Sequence, residues 1–229
     1  MYSILLHENE PTCPVSRLPL REEPYNAALH AVGLLLFAGG TALLVVIAAL
    51  ESTAAGIVGA AIFGASLVVL YGISTLYHSL RNPRWKRRVQ VADHIAIYML
   101  IAGTYTPFTL VTLGGGWGWS IFGVVWGMAL FGTIFKLFYT RRFTAISTGL
   151  YVLMGWTIII AIGPLVESLM VGGLVWLVVG GVAYTLGAAF YLMDERRPFF
   201  HTIFHGFVLA GSFSHFWAVL RYVLPVPQA

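Results

Sequence analysis

Ser74 and His78 stand four apart in "STLYHS", His201 and His205 stand four apart in "HTIFHG", and Asp93 lies between them in "VADHIAIYML". A spacing of four returns to nearly the same side of an α-helix, so each pair shares one face. Neutral imidazole is a common Zn²⁺ ligand, and two histidines at i and i+4 turn their nitrogens toward one point. A third imidazole from another helix completes a three-ligand set with a fourth position left for water, the mark of a catalytic rather than a structural zinc site. His78, His201 and His205 are therefore the candidate metal ligands. Each residue also has a blander role: His78 as an interfacial anchor, the His201/His205 pair as a helix cap, Asp93 as a partner for a helix dipole, and Ser74 as a hydroxyl bonded to its own helix.

The elements that must bring these residues together are membrane helices. With 59% hydrophobic residues, 10% charged residues and a mean hydropathy of +0.83, the chain is too apolar for a soluble globular domain. Seven apolar runs, over about 28–50, 54–79, 91–113, 115–138, 144–164, 171–193 and 199–223, are each long enough to cross a hydrocarbon core of about 30 Å. Alternating barrel strands are absent, and a helix satisfies its own backbone in lipid, so the fold class is all-α, a seven-transmembrane-helix bundle. Residues 1–24 form a polar segment with Glu8, Glu10, Glu22 and Glu23 and no apolar core, so the first helix is expected to act as its own insertion signal ahead of one domain over 25–229. Cys13 is the one cysteine, which excludes an internal disulfide.

Charge sets the expected orientation. Arg17 and Arg21 precede the first helix, Arg81, Arg84, Lys86, Arg87 and Arg88 fall between helices 2 and 3, Lys136, Arg141 and Arg142 between 4 and 5, and Arg196 and Arg197 between 6 and 7. Seven crossings put all four groups on one side, and Arg221 is the exception. Short basic loops stay cytoplasmic, so the N-terminus is expected in the cytoplasm and the C-terminus outside, in a multi-pass protein of the inner (plasma) membrane. The net charge of +4 is then explained by topology and anionic lipid, and no nucleic-acid partner is needed. This orientation brings Ser74, His78, Asp93, His201 and His205 to one leaflet within about two turns of depth. Ionisable groups there are expensive unless they satisfy one another, water or an ion, so the coincidence favours a shared site.

Three further histidines are secondary. His30, with Glu22 and Asn26 before it in "EEPYNAALHAVG", forms a polar face at the start of helix 1, read either as a helix start or as support or a gate for the ligand set. His94 is about 100° round the helix from Asp93 and is expected to face elsewhere. His215 is read as a structural or second polar contact. Small residues recur four apart at Gly56, Ala60 and Gly64, at Gly123 and Gly127, and at Gly206, Ala210 and Ser214, a spacing that permits close helix packing.

"STLYHS", Asp93 after a basic stretch, "HTIFHG" and the "EEPYNAALHAVG" segment together resemble the progestin and adipoQ receptor superfamily, most of all its bacterial hemolysin III-like branch. The motifs occur in the family's order and on the matching helices. The resemblance implies zinc on His78, His201 and His205, with Asp93 and Ser74 against the water or the substrate. It also implies kinship with alkaline ceramidases, which hydrolyse a lipid amide. The resulting expectation is a zinc-dependent hydrolase of a membrane-lipid amide or ester with a role in membrane lipid homeostasis. Two alternatives stand beside it: a non-enzymatic lipid sensor stapled by zinc, and a cytolytic membrane protein. The expected partners are a membrane lipid, as substrate or ligand, and a second copy of the chain in a homo-oligomer. A retinal protein is excluded because Lys86 and Lys136, the only lysines, lie in basic stretches at helix ends rather than deep in a span.

Overall fold

The computed structural model describes residues 12–16, 18–140 and 142–225; Glu8, Glu10, Arg17 and Arg141 lie outside them. Among the described residues, eight α-helices form seven spans: α1 (Glu23–Glu51), α2 (Ala54–Ser79), α3 (Pro83–Pro107), α4 (Gly115–Tyr139), α5 (Thr144–Gly155), α6 (Ile162–Ser168), α7 (Val171–Leu192) and α8 (Phe200–Ala218). A 3₁₀ turn, Thr157–Ala161, joins α5 to α6 into the fifth span, while α3 and α8 continue as π-helical segments over Phe108–Leu113 and Val219–Val223. All seven are long and apolar enough to cross a membrane.

The helix starts are written in local chemistry. Asn82 accepts the backbone N–H groups of Arg84 and Trp85 and is followed by Pro83, whose missing N–H costs nothing in a first turn. That cap starts α3 eight residues before the apolar run, so Arg84, Lys86, Arg87 and Arg88 lie in helix rather than in a loop. Asp93 accordingly sits almost three turns into α3 and does not serve as a partner for the helix dipole. The expected start of the first span also moves, from residue 28 to Glu23, with Pro24 in its first turn.

Neighbouring helices pack in order around a ring, α1 on α2, α2 on α3, α3 on α4 and α7 on α8, and the ring closes where α8 meets α1. Phe37, Leu44, Phe63, Leu67, Phe108 and Val219 fill the core where α1, α2 and the two π segments meet. Pro107 cannot donate to its own helix, and the chain shifts to π-helical spacing beside it. The resulting bulge fits against Gly59, where an added Cβ would lie 2.9 Å from Pro107 Cα. Gly56 and Gly64 also face side chains too close for a Cβ, whereas Gly123, Gly127 and Gly206 face open space. The small-residue spacing on α2 is thus used in packing, and the glycines of the other two sets are not.

Candidate metal centre

His78 lies on the last turn of α2, and His201 and His205 occupy the first two turns of α8. Their ring centroids are 4.5 Å (His201–His205), 4.9 Å (His78–His205) and 5.4 Å (His78–His201) apart. One ligating nitrogen from each lies within 4.8 Å of the other two, and the Nε2 atoms of His78 and His205 are 3.0 Å apart. Tetrahedral zinc with bonds of about 2.0–2.1 Å holds its nitrogens roughly 3.3 Å from one another, so modest ring rotations bring the three imidazoles onto one ion. All three are buried. Three buried imidazoles from two helices make a donor set that suits a zinc-type cation.

The other nitrogen of each ring is also engaged. His78 Nδ1 lies 2.8 Å from Glu23 Oε2, His201 Nδ1 lies 2.7 Å from Asp194 Oδ2, and His205 Nδ1 lies 2.7 Å from His30 Nε2. Glu23 is shared: Oε2 also accepts from Lys86 Nζ at 2.9 Å, and Oε1 accepts from the Ser16 hydroxyl at 2.9 Å. Lys86 is buried and donates as well to the Tyr77 carbonyl at 2.9 Å. Thr202 donates to Asn26 Oδ1 at 2.6 Å, a second tie between α1 and α8. Glu22, just outside α1, is almost wholly buried; burial pushes its carboxyl above the ordinary value, against the opposing pull of the Phe199 backbone N–H.

Ser74 lies one turn deeper than His78, and its hydroxyl faces the Asp93 carboxyl on α3. Both are buried. They line, with His30 and His205, an apolar cavity of about 130 Å³ that runs between α3, α5, α7 and α8 past Leu100, Val152, Trp156 and Val208 as far as His215. A second cavity of about 450 Å³ opens toward the basic ends of the helices, where Ser16, Gln90, Thr140, Asp194 and Arg196 line it. Asp93, Ile97, Tyr191, Phe204 and His205 belong to both, so the imidazole cluster stands where an apolar space meets a polar one.

All five residues singled out in the sequence therefore converge. The secondary histidines divide. His30 joins the cluster through His205; His94 lines the polar cavity with its Nδ1 unpartnered; His215 Nε2 donates to the Leu177 carbonyl at 3.1 Å. Lys136, expected in a loop, is buried in the last turns of α4, where it donates to Ser147 at 2.8 Å. Sequence reasoning missed Glu23 and Asp194 as histidine partners. A seven-residue offset offered a signal for Asp194, which precedes its partner His201 by seven, whereas Glu23 and His78 lie 55 residues apart and spacing offers none.

The chain is similar along most of its length to bacterial membrane proteins. It is 45% identical over 206 residues to "Hemolysin-3" of Bacillus cereus, covering 90% of this chain and 94% of that protein. It is 44% identical over 208 residues to the "Hemolysin-3 homolog" of Bacillus subtilis (strain 168), covering 91% and 97%. A more distant likeness, 27% over 174 residues, links it to the human "Monocyte to macrophage differentiation factor", with 72% of this chain and 71% of that protein covered. The model of the family described as "Haemolysin-III related" matches residues 19–216, a stretch that takes in the whole imidazole cluster and both of its carboxylate partners. Seven apolar spans, the three motifs and this match agree: the chain belongs to the haemolysin-III related family of multi-pass membrane proteins.

Proposed function

We propose that the protein is a zinc-dependent hydrolase of a membrane-lipid amide or ester, with His78, His201 and His205 as ligands. The observation that carries this reading is the position of the imidazoles and Asp93 at the junction of an apolar cavity with a polar one. An amphiphile is the molecule that fills both, its acyl chain among Leu100, Val152 and Val208 and its headgroup toward Arg196. Zinc bound there supplies Lewis acidity and makes water acidic enough to deprotonate near neutral pH. Asp93 orients the attacking water and takes its proton as general base. Ser74 donates a hydrogen bond to the carbonyl oxygen as charge gathers on it. The water oxygen bonds to the carbonyl carbon, the C–N or C–O bond breaks, and the proton held by Asp93 passes to the leaving amine or alkoxide.

The positive-inside distribution supports placing this chemistry at the cytoplasmic leaflet, since the basic residues share the cluster's end of the bundle. A second reading, a zinc-stapled lipid sensor without turnover, is favoured by the way the cluster ties α1, α2 and α8 together. Asp93→Asn separates the two. Purified protein that keeps about one zinc per chain but loses hydrolysis of a labelled ceramide or phospholipid supports the enzyme. Unchanged wild-type and variant behaviour toward every lipid class supports the sensor. His201→Ala is expected to lose the metal, and wild-type protein purified without chelators and free of zinc would overturn both readings.

A further inference from the structure

An imidazole that binds a cation through Nε2 must be bare there and carry its hydrogen on Nδ1. Carboxylate oxygens only accept, so Glu23 fixes that tautomer in His78 and Asp194 fixes it in His201. His205 differs, because its Nδ1 meets another imidazole, His30 Nε2, at 2.7 Å. One of those two nitrogens holds the hydrogen. With His78 bare at Nε2, the 3.0 Å contact between the two Nε2 atoms makes His205 the donor there; its Nδ1 is then bare, and His30 carries its hydrogen on Nε2.

A cation placed between the same Nε2 atoms demands the reverse. His205 must hold its hydrogen on Nδ1, His30 must accept it at Nε2, and His30's own hydrogen must sit on Nδ1. We propose, resting on the zinc reading above, that Glu23, Asp194 and His30 are positioning residues for the three ligands, and that His30 switches tautomer when the metal binds. The proton count has a consequence for the ligand. His30 Nδ1 is buried with no protein partner among the described residues, and a buried donor left unpaired loses its hydration without recompense. His30 borders the apolar cavity, so a water or an oxygen atom of the bound lipid is the acceptor that satisfies it. His30 thus couples metal occupancy to recognition of an oxygen acceptor in the cavity.

The test is zinc affinity of the purified full chain in detergent, by competition with a chromophoric chelator, for wild type, Asp194→Asn, His30→Leu and His30→Gln. Circular dichroism and gel filtration monitor folding. His30→Leu removes the acceptor and is expected to weaken zinc about 10- to 100-fold; Asp194→Asn, which keeps an acceptor but loses the negative charge that strengthens His201 as a ligand, falls by about tenfold; His30→Gln, which keeps a neutral acceptor for His205 as the imidazole was, stays within about threefold of wild type. The visible spectrum of the Co²⁺-loaded protein changes in His30→Leu and is restored in His30→Gln. Folded variants that all bind zinc as wild type does overturn the positioning role while leaving the zinc reading intact. Wild type without zinc affinity overturns the zinc reading itself. Should His30→Leu fail to fold, unaltered zinc affinity in a folded Asp194→Leu variant, which leaves His201 Nδ1 without its acceptor, refutes the proposal.

Discussion

Lys86 offers a direct measure of how the buried charges are balanced. Its ammonium lies 2.9 Å from Glu23 Oε2, with side-chain exposures of 3% and 9%. Lys86→Met keeps most of the side-chain volume and removes the charge. Breaking a buried ion pair from one side costs about 3–5 kcal/mol, because the remaining charge is stranded. Glu23 keeps the Ser16 hydroxyl and His78 Nδ1, which places the expected loss at the lower end, about 3 kcal/mol. Adding Glu23→Gln removes the stranded charge while an amide oxygen still accepts from His78. The double variant should therefore lose only about 1 kcal/mol, about 2 kcal/mol less than Lys86→Met alone. For a chain of this size that loss lowers the melting temperature of the single variant by about 6–12 °C. Equilibrium unfolding in mixed micelles, followed by circular dichroism, reads both. A double variant no more stable than Lys86→Met would refute the idea that the ammonium neutralises Glu23.

Other consequences are as direct. Gly59→Ala pushes a methyl against the Pro107 backbone, which cannot rotate away, and should cost about 1–3 kcal/mol in thermal unfolding, whereas Gly123→Ala enters open space and should be neutral or slightly stabilising. The raised Glu22 carboxyl means that the folded chain holds this proton more tightly than the unfolded one, so stability falls as pH rises through the window above 4.5; Glu22→Gln should match wild type below that window and exceed it above, as read by melting temperature against pH. In a Cys13→Ser background, Asn82→Cys should react with an impermeant maleimide only in opened cells and Gly116→Cys in intact ones; the opposite pattern would invert the orientation.

The catalytic candidates were legible because two independent rules converged on them. Helical spacing paired Ser74 with His78 and His201 with His205, and the basic ends gave all of them a common depth. The carboxylates behind the histidines were not legible in that way. Glu23 and Asp194 lie at helix ends, where acidic residues are common for reasons of solubility and dipole, and spacing alone does not distinguish a partner from a solvated charge. Lys86 and Lys136 are expected in basic stretches at helix ends, where a lysine ordinarily extends toward water; here each ammonium turns inward to a buried acceptor. The start of α3 was written in Asn82-Pro83, a cap signal that hydropathy overlooks. Pro107 marked a break, but whether it would bend, end or re-register the helix depended on Gly59, nearly fifty residues earlier, being there to receive it.

The His30–His205 contact joins residues 175 positions apart, and Asn26–Thr202 joins residues 176 apart. Ribosomes emit the first helix long before the last, so during synthesis Asn26, His30 and His78 Nε2 must reside in or near the bilayer without their α8 partners Thr202 and His205. Polar groups in that condition favour staying close to headgroup water or to the insertion machinery. Closure by the last helix is thus the step at which the early spans can settle to full depth, and a chain cut short before residue 205 would leave them as a marked substrate for membrane quality control.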